Sequence, residues 1–370
     1  DETQINDLKI DFKDKKSGSP KIEMQAFYGL KIGVLQIEKE YEIEKSAFSY
    51  CQFGKLLQIY AHTIGPYSFS DCTSSPGCTL SIGKSLIEEY AFDNFQTINK
   101  LEFSEIGISD EPKIGSHAFH GSKILNYDGL TIPSWIDEVG EYAFANITDL
   151  KPSTLTISCP KLSKGAFYGC NQIVNFVLNG NLNTIDEFAF CGTSLKGNLV
   201  IPPAVTKIGE SAFQGLSDLR QITIFSDSKL SEIGPSAFQD SGISGELFIP
   251  NEIGTISARA FSGCKGLTSL AFYINSDIKL STIDEYAFYN CKGLSCYLDI
   301  PISVNKIGKY AFANCVALKG HLTLKVDAEI GENAFEKCQN FKITAFEIID
   351  YQQGKEYEIS PSAFKGLNLD

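Results

Sequence analysis

The chain repeats itself. The string IG, two residues, then AF occurs at 208 to 213 (IGESAF), 233 to 238 (IGPSAF), 307 to 312 (IGKYAF) and 330 to 335 (IGENAF). With looser copies included, the motif Phe recurs at 27, 48, 69, 92, 119, 144, 167, 190, 213, 238, 261, 288, 312, 335 and 364. That makes fifteen units spaced 21 to 29 residues apart, with 23 the commonest interval. A period in this range is the signature of a stacked repeat, so one extended array replaces the two or three domains that 370 residues would otherwise suggest.

Each unit carries the marks of a coil. Five residues before every motif Phe stands an aliphatic side chain, from Ile22 to Ile359. Directly before it stands Ala, or Ser at position 68 alone, which implies a place where a larger group would collide with the next copy. About ten residues after the Phe comes a short alternating segment such as LTIP (130 to 133), LVIP (199 to 202) or LFIP (247 to 250). Period-two alternation bounded by Gly and Pro reads as one strand per unit. A coil of this size cannot bury its own apolar side, but stacked coils form one core and one parallel sheet with strands roughly 4.7 to 4.9 Å apart. The expectation is a single solenoid domain over 1 to 370, long and curved, of about fifteen coils. Variation in length falls between strand and motif, as in SEIGISDEPK (104 to 113), SDSKLSE (226 to 232) and NSDIKLST (275 to 282), and such insertions map to one edge that often binds.

Read as LxIPxxVxxIGxxAFxxC, the units LVIPPAVTKIGESAF (199 to 213) and LDIPISVNKIGKYAFANC (298 to 315) resemble the BspA-like leucine-rich repeats, and the match runs through the whole chain. The resemblance implies a right-handed superhelix whose strands form a continuous curved sheet. It also implies a cell-surface or secreted protein of the adhesin type that recognises a host or partner protein. A passive stalk presenting another domain is the alternative, favoured by the absence of evident capping units.

Charge and motif content narrow the function classes further. Asp and Glu outnumber Lys and Arg, 45 against 32, so the net charge of -13 disfavours nucleic acid and anionic membranes as partners. The opening DETQINDLKI lacks the basic and apolar regions of a signal peptide, as expected of a mature secreted protein or of a piece of a longer one. No CxxC pair, phosphate loop or GxSxG elbow occurs, and His117 and His120 read as exposed turn residues. No enzyme activity and no cofactor or metal are therefore expected.

Of the eleven cysteines, Cys51, Cys72, Cys170, Cys264, Cys291, Cys315 and Cys338 all fall three residues after a motif Phe, where Leu30 and Leu216 stand in other units. They read as fillers of a small packing slot. Cys72 and Cys78, flanking TSSPG, are the candidate disulfide pair, and Asn146 heads the only N-glycosylation sequon.

The residue between the two aliphatics of each strand points outward. These positions include Ser81, Val177, Val200 and Phe248, and flanking outward positions add Phe225, Tyr273, Tyr297 and His321. Phe225, Phe248, Tyr273, Tyr297 and His321 are the candidate binding residues, since grouped aromatics on a sheet are typical interface anchors. The partner class is a protein, or failing that a glycan.

Within KIGKYAFANC (306 to 315), Ile307 and Phe312 face the core, Gly308 permits the turn, Ala311 allows close stacking and Lys309 faces solvent. Phe312→Ala should cost about 3 to 5 kcal/mol in urea unfolding, whereas Lys309→Ala should change stability by less than about 0.5 kcal/mol.

Overall fold

A computed structural model describes residues 4–10, 20–38, 40–272, 278–320, 322–325, 328–341 and 346–349. The chain is a parallel β-solenoid of about 13 turns, and no helix occurs among the described residues. It divides into two compact units, the first Asp1–Thr184 with Gly192–Leu195 and the second Ile185–Cys191 with Lys196–Asp370. The last expected copy of the motif, around Phe364, lies outside the described residues.

Most described coils contribute two strands rather than the single one expected, the coil before Phe312 keeping only a bridge at Tyr297 in place of the longer one. The alternating segment forms the longer strand, and in the first unit Leu130, Leu155 and Phe176 stand in register, as do Ile132, Ile157 and Leu178. The aliphatic residue five before the Phe, with the residue before it, forms a second strand of two residues. In the first unit these short strands pair in one unbroken series from Lys21–Ile22 to Lys161–Leu162. In the second unit Lys207–Ile208 pairs with Glu232–Ile233, and a further series runs from Thr255–Ile256 through Thr282–Ile283 and Lys306–Ile307 to Glu329–Ile330. The longer strands, where a continuous sheet was expected, are instead broken into separate sheets. One such break has a visible cause. The six-stranded sheet of the first unit ends at Lys100–Gly107, where the side chain of Asn126 bonds to both the N–H and the C=O of Leu101 and so imitates the next strand.

Between the short strand and the longer one lies the motif turn, and its geometry is repeated with little variation. The residue two before each described motif Phe has a φ between 52° and 61°, and the residue two after it a φ between 54° and 75°. Both are in the left-handed region, which costs a non-glycine residue roughly 1 to 2 kcal/mol. Gly, Asn or Asp fills the second position in every coil except those of Tyr50 and Lys337, as steric preference dictates. The first position is held by Tyr67, Tyr90, Ser211, Arg259 and others with no such preference. What holds them there is pairing between coils: Phe48 N–H donates to the Ser68 carbonyl, Phe69 to Ala91, and Phe312 to Ala334, at 2.7 to 2.8 Å.

Stacked turns put the Phe rings in register. From Phe27 to Phe167 in the first unit, the rings whose contacts are resolved run nearly parallel with centroids 4.9 to 5.1 Å apart. In the second unit Phe190 to Phe335 do the same at 5.3 to 5.5 Å. Coil spacing thus sets ring spacing, and each pair adds about 0.5 to 1.5 kcal/mol beyond area burial. The Ala before each Phe is fully buried from Ala47 onward, apart from the Ser68 coil, which accounts for its constancy.

Gly308 works differently from the expectation. Its φ is not left-handed; the left-handed residues of that coil are Tyr310 and Asn314. A Cβ on Gly308 would instead lie 2.5 Å from the backbone nitrogen of Glu285 on the preceding coil. The glycine is there for close approach.

Ser68 is the one hydroxyl in the Ala position, and its Oγ is buried without a hydrogen-bond partner. Removing an unsatisfied buried hydroxyl relieves a desolvation penalty. Ser68→Ala should therefore raise the stability of the chain by about 1 kcal/mol in urea unfolding, the opposite sign to a typical core truncation.

Candidate functional site

Three features stand out as candidate chemistry: the thiol ladder, the histidine pair and the outward strand face. The thiols prove to be structural. All seven ladder cysteines donate Sγ–H to the carbonyl oxygen of the motif Phe one coil earlier, at 2.8 to 3.1 Å: Cys51 to Phe27, Cys72 to Phe48, Cys170 to Phe144, Cys264 to Phe238, Cys291 to Phe261, Cys315 to Phe288 and Cys338 to Phe312. Ser122 occupies the same place and donates to Phe92 at 2.6 Å. In these eight coils the slot holds a small donor, whereas Leu30 and Leu216 fill it with an apolar side chain in others. Burial pushes the thiols of Cys170, Cys264 and Cys338 up to about 12. Cys72 and Cys78, the expected disulfide pair, are both free and buried. Cys72 is engaged in the ladder, its Sγ aimed at the Phe48 carbonyl.

The histidines are less exposed than expected. His117 is half-buried in a ladder of rings, stacked on Tyr90 at 4.8 Å and on Tyr142 at 5.4 Å, with Tyr67 beyond Tyr90 at 5.0 Å. Burial, together with the neighbouring His120, lowers its pKa from the usual histidine value. His120 Nδ1 lies 3.1 Å from Asp93 Oδ1. Among the described residues, no group of three or more His, Cys, Asp or Glu is placed to hold a metal ion. Asn146 is exposed at a left-handed turn position, and its backbone N–H is tied to the Tyr168 carbonyl.

The outward strand face of the second unit carries the apolar surface. Val200, 44% exposed, stands in register with half-buried Thr223, and Phe225 follows on the same strand face at 43%. The loop that begins at Phe225 turns away from it, through a hydrogen bond from Ser228 N–H to the Phe225 carbonyl, and leaves the ring uncovered. Phe248 is half-buried and stands opposite Ala271. Tyr297 is the most open of the set at 71%, at a parallel bridge to Lys319. Arg220, Asp218 and Glu246 supply a charged margin. Tyr273 and His321 lie outside the described residues.

One outward assignment in the first unit fails. Ser81 is buried, because in register it lies between the longer side chains of Gln58 and Glu102. Sequence reading also passed over an exposed aromatic pair, Tyr28 and Tyr50, whose rings sit 5.3 Å apart. Their places one and two residues after the motif Phe were the available signal.

A family described as "BspA type Leucine rich repeat region (6 copies)" matches residues 20–126, 99–220, 197–319 and 231–370. No curated protein matches the chain. Among solved structures, a leucine-rich repeat protein from Bacteroides ovatus is 23% identical with a TM-score of 0.55, covering 92% of this chain and 86% of its own. A leucine rich cell surface protein from Faecalibacterium prausnitzii is 22% identical over 62% of this chain and 76% of its own, with a TM-score of 0.35. The pneumococcal vaccine antigen PcpA is 16% identical over 90% and 77%, with a TM-score of 0.33. At these identities the first likeness establishes the fold.

The ladder thiols have a pH consequence. An unfolded thiol ionises near pH 9, whereas the folded ones stay protonated to about pH 12, so the unfolded state loses protons first and stability falls as pH rises above about 9. At pH 10 each fully buried ladder thiol should cost the fold about 1.4 kcal/mol relative to pH 8, and Cys170→Ser should remove its share while keeping the hydrogen bond. Urea unfolding at the two pH values measures this, and iodoacetamide should label half-exposed Cys191 and Cys296 long before the buried nine.

Proposed function

The chain belongs to the BspA-type leucine rich repeat family, and from that premise we propose that it is a binding scaffold of the cell surface or extracellular space that engages a partner protein. The contact is made by the strand face of the second unit through Val200, Phe225, Phe248 and Tyr297. The observation that carries this reading is the exposure of Val200, Phe225 and Tyr297 on the outward side of the coils, with half-buried Phe248 between them. Apolar groups held open on a rigid backbone lose little conformational entropy on binding, and aromatic anchors dominate interface energetics. The acidic balance of the chain favours partners without strong negative charge. The role is one of recognition rather than catalysis.

The test is a screen of the full chain against immobilised extracellular-matrix proteins and an array of glycans, repeated with the double variant Phe225→Ser, Tyr297→Ser. A matrix protein bound by the parent should lose affinity by about tenfold or more, while the thermal midpoint is unchanged. Equal binding by the variant would remove the site from this face, and capture of glycans alone would reassign the partner class.

A further inference from the structure

Tyr50 stands where the turn does not favour it. It holds the left-handed position two residues after Phe48, at a φ of 61°, a place that Gly, Asn or Asp fills in every other described coil except that of Lys337. An aromatic residue is strained there, and strain of this kind clusters where a side chain has a task. In this position its ring lies beside Tyr28 of the preceding coil. The two centroids are 5.3 Å apart with the planes inclined at 46°, and the residues are 53% and 48% exposed. By place in the motif Tyr28 would meet Ser49, but Ser49 is buried, donating to the Tyr67 carbonyl and hydrogen-bonded with Ser70. Asp71 holds the same left-handed position on the following coil. Its charge, with Tyr28 nearby, pushes the Tyr50 phenol above the ordinary tyrosine value.

Other neighbouring tyrosines are held differently. Tyr67 and Tyr90 are half-buried and stacked within 2° of parallel, with Lys45 over the one and His117 against the other. Tyr286 is stacked on Tyr310, covered by Arg259 and met edge-on by Tyr289. Tyr310 in turn carries Lys309 over its ring, and its hydroxyl accepts from Asn333 Nδ2. Tyr142 and Tyr168 are farther apart, at 6.2 Å. Rings hemmed in on both faces have little freedom to swing edge to edge, whereas Tyr28 and Tyr50 are open to solvent and already inclined.

We propose that Tyr28 and Tyr50 form an oxidative modification site, at which a peroxidase and hydrogen peroxide join the two rings into a dityrosine that staples the coil of Phe27 to the coil of Phe48. Each phenol gives up one electron and its O–H proton, with Asp71 placed to take the proton of Tyr50. The two radicals form one bond between ring carbons ortho to the hydroxyls, and the hydrogens on those carbons move to the oxygens. The peroxide takes up the two electrons and two protons and leaves as two waters. Linkage within one chain outruns linkage between chains because the rings are already neighbours. The ladder thiols of the same two coils cannot supply such a staple, since Cys51 and Cys72 are buried on the carbonyls of Phe27 and Phe48. The site is independent of the strand face of the second unit.

The test treats the full chain, at micromolar concentration, with a haem peroxidase and equimolar hydrogen peroxide, followed by tryptic digestion. The peptides around the pair are residues 22–31 and 46–55, and each holds a single tyrosine. The expected product is these two peptides joined with the loss of two hydrogens, accompanied by dityrosine emission from a chain that stays monomeric on a denaturing gel. Tyr28→Phe and Tyr50→Phe each keep the ring without the hydroxyl, and each should lower the emission about tenfold, because the remaining tyrosines lack this proximity. Circular dichroism checks that both variants fold. A main product that joins other tyrosines, covalent dimers in place of the internal link, or unchanged emission in either variant overturns the proposal.

Discussion

The distance between one coil and the next, about 5 Å, is the constraint on which the rest of the structure depends. Backbone hydrogen bonds set it, from Phe48 to Ser68 and onward through each unit. At that spacing the Phe rings can stack, only Ala or, once, Ser stands beside them, and a side chain at Gly308 would strike the backbone of the previous coil. The motif is a list of what tolerates this separation. A core built this way has no single center, since each coil is buried only by its neighbours.

The thiol ladder follows from the same spacing. Each motif Phe gives its N–H to the following coil and presents its carbonyl to that same coil, at the position three residues after its motif Phe. Cysteine donates there in seven coils and Ser122 in another, while Leu30 and Leu216 fill the position with apolar bulk. A count of eleven cysteines invites a redox or metal reading, yet most of these thiols satisfy a backbone carbonyl in a dry interior. Burial raises their pKa and leaves them poor nucleophiles, which separates them from reactive cysteines in function as well as place.

Function has to be sought where the spacing rule makes no demand. The strand faces and the insertions between strand and motif are free to vary, and there the chain holds Phe225 and Tyr297 in the second unit, and Ile106 and Ile108 in the first, out in solvent.

From the sequence alone the period, the buried Phe, Ala and aliphatic positions, the longer strand and the family resemblance were all legible, because each is a consequence of burial repeated in every coil. Left-handed turn residues were legible where Gly, Asn or Asp filled them, and invisible at Tyr67, Tyr90 or Arg259, where pairing between coils overrides local preference. The second strand at Lys306–Ile307 was equally hidden, since two residues carry no periodicity. Alternation named Val200 and Phe248 as outward but misplaced Ser81, whose exposure depends on the lengths of Gln58 and Glu102 beside it. Which sheet ends where, whether Cys72 meets Cys78 or the Phe48 carbonyl, and how far Phe225 stands clear of its loop were decided by tertiary structure only. Burial along one coil is written in that coil, whereas contact between coils depends on residues some two dozen positions away.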